Sequence, residues 1–171
     1  MDRFVALFRG INVGGRNILP MKELTSLLEN NSCHGVQTYI QSGNAVFESE
    51  EPPENIGRLI ERQYGFRPEI LILGKMEFLD MVSNNPFTSS MGKQVHIFFC
   101  QNTPNVNEEK LAGLKSETEK YVIRGKAAYL YAPDGIGRSK LAANMEKCLG
   151  VPATGRNLNT VNKLVEMLQN T

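Results

Sequence analysis

Along the 171-residue chain the spacing of apolar positions switches between a strand-like and a helix-like period, and the switches mark elements. The run RFVALFRG at residues 3–10 is apolar and closed by a glycine, which predicts a strand. In LPMKELTSLLENN, Met21, Leu24 and Leu28 recur at helical spacing behind Pro20, a residue that suits a helix's first turn. GVQTYIQSGNAVFES reads as two strands broken at Ser42–Gly43. PPENIGRLIERQYG carries Ile56, Leu59 and Ile60 between a proline start and a glycine stop, the signature of a second helix. RPEILILG is another strand. The order strand–helix–strand–strand–helix–strand, complete by about Gly74, is the split βαβ arrangement of ferredoxin-like folds. KMEFLDMVSNNPF then predicts a connecting helix that ends before Pro86.

The second half partly repeats this order. QVHIFFC predicts a strand, NEEKLAGLKSETEKY an amphipathic helix, and YVIRG with KAAYLYA a hairpin. SKLAANMEKCLG predicts a helix with a C-terminal glycine. No further strand is read. The chain closes with NTVNKLVEMLQN, a helix for which Asn159 or Thr160 supplies the cap. The expectation is an α+β protein of two loosely duplicated ferredoxin-like (α/β-plait) domains. They span 1–74 and 91–171, with a connecting helix and loop over 75–90. Phe4, Ala6 and Phe8 share one strand face, and Val5 and Leu7 the other. Val95, Ile97 and Phe99 likewise oppose His96, Phe98 and Cys100. With both faces apolar, the two sheets are expected to cover each other or to be covered by a second chain.

Composition narrows the classes. Hydrophobic residues at 41% and charged residues at 22% describe an ordered globular chain. A net charge of +1 argues against a dedicated duplex-DNA binder and leaves room only for a local basic patch. Cys33, Cys100 and Cys148 are odd in number and lack metal-ligand spacing, which fits a reducing cytoplasm. The start MDRFVALFRG lacks the features of a signal peptide, and no run approaches the roughly 20 apolar residues that span a bilayer. No membrane partner is expected.

Topology supplies a candidate site. In a split βαβ the first two strands run parallel, so the loop leaving the first and the hairpin leaving the second lie at one end of the sheet. Arg9, Asn12, Gly14, Gly15, Arg16 and Asn17 would then share an edge with Gln41, Ser42, Gly43 and Asn44. Glycines let a backbone approach a ligand, arginine grips phosphate or carboxylate, and amide side chains read donors and acceptors. The same glycines and asparagines can simply make turns. The loop matches neither a P-loop nor the dinucleotide fingerprint. A second polar cluster, PDGIGRSKL, offers Arg138 and Lys140 for an anion, with Ser139 as a helix cap. A third, ATGRNLNTVNKL, places Arg156 and Asn157 before the last helix.

The motifs LFRGINVGGRN, YIQSGN, DGIGRSKL and ATGRNLNTVNKL together resemble, end to end and in order, the bacterial family called domain of unknown function 1697. The resemblance implies a cytoplasmic protein of two ferredoxin-like domains and implies no activity. Its motif positions here are Arg9, Gly10, Asn12, Gly14, Gly15 and Asn17, then Gln41, Ser42, Gly43 and Asn44. They continue at Gly137, Arg138, Ser139 and Lys140, and at Arg156, Asn157, Thr160 and Lys163. Relatives often carry tryptophan where Leu158 stands, so any stacking made by that ring is lost in this chain.

Catalytic constellations find little footing. His96 alternates within an apolar strand as a packed residue, and His34 lies in a turn. Ser42 and Ser139 are the candidate nucleophiles in motifs, with Lys140 as the candidate activator. No His/Cys cluster suggests a metal, and ESEEPPE reads as a solvated turn. The reading is binding of a small anionic or nucleotide-like ligand at 9–17 and 41–44, with no cofactor or reaction named. One alternative is a single-stranded nucleic-acid module using Phe4, Phe8 and Phe47 as a stacking platform. The other is a structural or assembly protein whose motifs only cap and turn.

Overall fold

The computed structural model describes residues 1–88 and 91–170. Within the segment read as a connecting helix and loop over 75–90, Ser89 and Ser90 lie outside the described residues, as does Thr171 at the end of 91–171. The first half runs β1 (Asp2–Arg9), α1 (Met21–Glu29), β2 (His34–Tyr39), β3 (Asn44–Ser49), α2 (Ile56–Tyr64), β4 (Glu69–Gly74) and α3 (Lys75–Ser83). The second runs β5 (Val95–Cys100), α4 (Glu108–Leu114), β6 (Lys120–Arg124), β7 (Ala127–Tyr131), α5 (Lys140–Ala143), α6 (Met145–Leu149), β8 (Ala153–Asn157) and α7 (Leu158–Gln169).

The strands form two four-stranded sheets, ordered β2-β3-β1-β4 and β6-β7-β5-β8, with every neighbour antiparallel. Counted within each half, the two orders are the same. One compact unit comprises Met1–Phe78 with the chain from Leu164 on; the other comprises Leu79–Lys163.

Alternation decides what each sheet buries. In the first unit Phe4, Ala6 and Phe8 of β1 join Phe47 of β3, Leu24 and Leu28 of α1, and Ile56 and Ile60 of α2 in one cluster. Each of the phenylalanine, leucine and isoleucine side chains contributes about 1.5–3 kcal/mol by leaving water. Val5, Leu7, Val46, Leu71 and Leu73, on the other face, are buried as well. In the second unit Cys100, Ala128 and Leu130 pack with Leu111 of α4, Leu141 of α5, and Met145, Cys148 and Leu149 of α6. Val95, Ile97, Phe99 and Tyr129 are buried on the opposite face, where the Tyr129 hydroxyl donates to the Met81 carbonyl. Arg3 holds the first unit together at its edge: Nε meets Glu48 Oε1 at 3.3 Å, and Nη1 donates to the Leu168 carbonyl.

Four local readings change. An eighth strand exists: Ala153–Asn157 pairs along β5, from Cys100 opposite Ala153 to His96 opposite Asn157. Its sequence, ATGRN, has no strand-like apolar run, and it is the free edge of β5 that recruits it. Gly155 is required there, because a Cβ would stand 2.8 Å from the Phe98 ring. The helix read over 139–150 is two short ones, broken at Asn144, whose side-chain amide donates to the Lys140 carbonyl at 2.8 Å. The helix read through Tyr121 stops at Leu114, where Lys115 turns extended. The last helix starts at Leu158, and the Asn157 side chain, not Asn159 or Thr160, accepts from the Thr160 N–H at 3.0 Å.

Candidate functional site

The first unit brings the early loop and the hairpin to one rim. Leu7 of β1 pairs with Asn44 of β3, the Phe8 N–H donates to the Gly43 carbonyl at 2.8 Å, and the Asn12 side chain donates to the Gln41 carbonyl at 2.9 Å. The loop itself is a miniature hairpin. The Arg16 N–H bonds the Val13 carbonyl and the Asn12 N–H bonds the Asn17 carbonyl, each at 3.0 Å. Gly14 and Gly15, with φ of 57° and 74°, form the two-residue left-handed turn that such a finger needs.

Most amide side chains at this rim serve its own frame. Asn12 donates to the Leu19 carbonyl and accepts from the Leu19 N–H at 2.7 Å. Asn17 donates to the Gly10 carbonyl at 2.8 Å. Asn44 is buried, donating to the Tyr39 carbonyl at 2.9 Å and reaching Ser42 Oγ at 3.4 Å. Gly43 is a close-approach glycine: a Cβ there would stand 2.7 Å from both Phe8 Cβ and Ile11 Cδ1. What faces solvent is the tip, Val13 to Arg16, with Gln41 and Ser42 beside it; Arg9 is half-buried. Three apolar side chains are exposed at this rim, Val13 at 64%, Ile18 at 54% and Ile40 at 48%. Ile40 holds φ +51°, a costly conformation for a β-branched residue.

The second unit has a cleft. Lys120 at the start of β6 pairs with Tyr131 at the end of β7, so the turn before β6 lies beside the loop after β7. The Thr118 hydroxyl, which donates to Asp134 Oδ2, ties the two together. Between them and the end of α4 opens a cleft of about 420 Å³, lined by Ser116, Glu119, Asp134, Arg138, Ser139 and Lys140 among others. That is the usual size of a small-molecule site. Ser139 accepts from the Ala142 N–H at 3.0 Å and so caps α5. The Arg138 guanidinium and the Lys140 ammonium are exposed and make no ion pair or hydrogen bond among the described residues.

Arg156 and Asn157 sit on β8, at the same end of the sheet but outside the cleft lining. Arg156 Nη1 donates to the Gly155 carbonyl at 3.0 Å, and Asn157 is the cap already described. Ser116 and Glu119 were hidden inside the helix read over 107–121. Their Ser-x-x-Glu spacing is the signal for a chain break, because it is a capping-box pattern.

Titratable groups elsewhere are subdued. Burial pulls the His96 imidazole down to about 4, and its Nδ1 is buried without a partner. Burial, helped by the charge of Glu146, pushes the Cys100 thiol up to about 11, and burial raises Cys33 too. Such thiols are poor nucleophiles. Among the described residues no group of His, Cys, Asp and Glu is arranged to hold a metal. No helix there is long and apolar enough to cross a membrane.

These observations define a two-unit α+β protein, with a buttressed finger on one unit and a charged cleft in the other. The family described as "Protein of unknown function (DUF1697)" matches residues 1–129, and the chain belongs to that family. No curated relative matches it. A solved structure of the conserved bacterial protein SP0830 from Streptococcus pneumoniae is similar over 98% of this chain and 99% of that one, at 24% identity and a TM-score of 0.68. That likeness speaks for the fold alone. Protein BT0572 from Bacteroides thetaiotaomicron aligns over 95% of this chain and 96% of that one, at 12% identity, and its TM-score of 0.24 carries no argument.

Proposed function

We propose that the protein binds a small anionic, nucleotide-like ligand in the cleft of its second unit, through Arg138 and Lys140. The observation that carries this reading is a pair of cations that make no ion pair or hydrogen bond among the described residues, on the wall of a cleft of about 420 Å³. Arginine offers a two-pronged grip on phosphate, and lysine adds a point charge. The matching strand orders support reading both units as ferredoxin-like and as products of duplication. Three buried, unbridged cysteines are in keeping with a cytoplasmic setting. Isothermal titration with pyrophosphate and adenosine monophosphate tests the site. Both bind the natural chain, and an Arg138→Ala, Lys140→Ala variant loses tenfold or more, about 1.4 kcal/mol. Absence of binding, or equal affinity in the variant, refutes the reading.

A second reading keeps the anion at the first unit's rim, on Arg9, Arg16 and the exposed backbone of Gly14 and Gly15. The strained Ile40 favours it, since such backbone tends to be retained where it is used. Phosphate affinity lost in Arg16→Ala but kept in the cleft variant would select it. The single-stranded nucleic-acid alternative lacks its platform, because Phe4, Phe8 and Phe47 all lie inside the helix-covered core. Salt-sensitive oligonucleotide binding would revive it.

A further inference from the structure

The cleft's cations are only half of its charges. Glu119 is 4% exposed, yet its carboxylate has no cationic partner among the described residues. Oε1 accepts from the Ser116 N–H at 2.9 Å, which closes the turn before β6. A neutral glutamine would close that turn equally well, so the turn does not account for a charge. Carboxylates this buried normally have a cationic or multiply hydrogen-bonded environment, because removing the charge from water is costly. Asp134 lines the same cleft, with one oxygen accepting a hydrogen bond from the Thr118 hydroxyl. The cleft therefore holds two carboxylates and two cations that do not pair with each other.

We infer that the ligand is amphoteric: an anionic group meets Arg138 and Lys140, and an amine meets Glu119 and Asp134. The inference rests on the cleft reading above and adds the second half of the ligand. A cleft with only the two cations would accept any phosphate of suitable size. The carboxylates instead favour a molecule that brings its own positive charge over one that brings the anion alone. The class is an aminoalkyl phosphate or a comparable zwitterion.

Two probes with the same anion isolate the amine: phosphoethanolamine and ethyl phosphate, titrated calorimetrically into the full chain. Phosphoethanolamine is expected to bind at least tenfold more tightly. In Glu119→Gln, which retains the acceptor for the Ser116 N–H, that preference falls several-fold while ethyl phosphate binds as well as before or better. Equal affinity of the two probes for the natural chain overturns the inference and leaves the cleft reading standing. A preference that survives undiminished in both Glu119→Gln and Asp134→Asn also overturns it, since the amine is then held elsewhere. If neither probe binds and pyrophosphate does not either, the cleft reading fails and this inference fails with it.

Discussion

The rim of the first unit and the cleft of the second draw on similar residues and use them differently. At the rim, Asn12, Asn17 and Asn44 turn their amides onto their own backbone. In the cleft, Arg138, Lys140, Glu119 and Asp134 line one space without pairing across it. The units share a strand order, yet the two features stand at different ends of it. The finger follows the C-terminal end of β1, whereas the cleft lies before β6 and beyond the end of β7. A repeated frame thus constrains packing without dictating which loops meet a ligand. Polar residues rich in glycine can be architecture, as the asparagines of the rim are.

That contrast can be broken by experiment, beginning with the largest effect. Gly43→Ala adds a methyl group against Phe8 and Ile11 at a φ of +95° and should lower stability by about 3 kcal/mol, read as a shift in the urea midpoint. Asn12→Ala leaves the Leu19 N–H and the Leu19 and Gln41 carbonyls short of partners. A loss of about 2 kcal/mol is expected, with phosphate affinity unchanged. A rim variant that keeps its stability but loses phosphate binding would invert the comparison. Arg138→Ala with Lys140→Ala should do the reverse, losing about 1.4 kcal/mol of binding while unfolding within ~0.5 kcal/mol of the natural chain.

Acid should sharpen the difference. The folded chain holds the His96 imidazole near 4, against 6.5 for an unburied histidine. Between those values the unfolded chain takes up a proton that the folded chain refuses, so acid favours unfolding. This contribution is fully present above pH 6.5 and is lost as pH falls toward 4. Urea midpoints at pH 7.5 and 5.0 should therefore separate more in the natural chain than in His96→Leu. Equal separations would show that His96 plays no part. The smallest effect belongs to Arg16→Ala at the exposed fingertip, where stability should move by less than ~0.5 kcal/mol. Loss of phosphate binding there would transfer the site to the rim.

Much of this was legible in the residues. The periods of RFVALFRG and EILILG mark strands, and the parallel course of β1 and β2 places the finger beside the hairpin. The Gly14–Gly15 pair announces a tight turn, and Ser139 announces a cap, because both depend on backbone geometry a few residues away. The residues ATGRN carry no strand signal, since β8 exists through what β5 offers it. Glu119 falls inside the helix read over 107–121 until the end of α4 and the Lys120–Tyr131 register bring it beside the loop after β7. Short-range periodicity thus determined the elements and their order. Edge pairing, the internal use of the rim's asparagines and the assembly of the cleft were decided by tertiary structure, because each depends on partners far away in the chain.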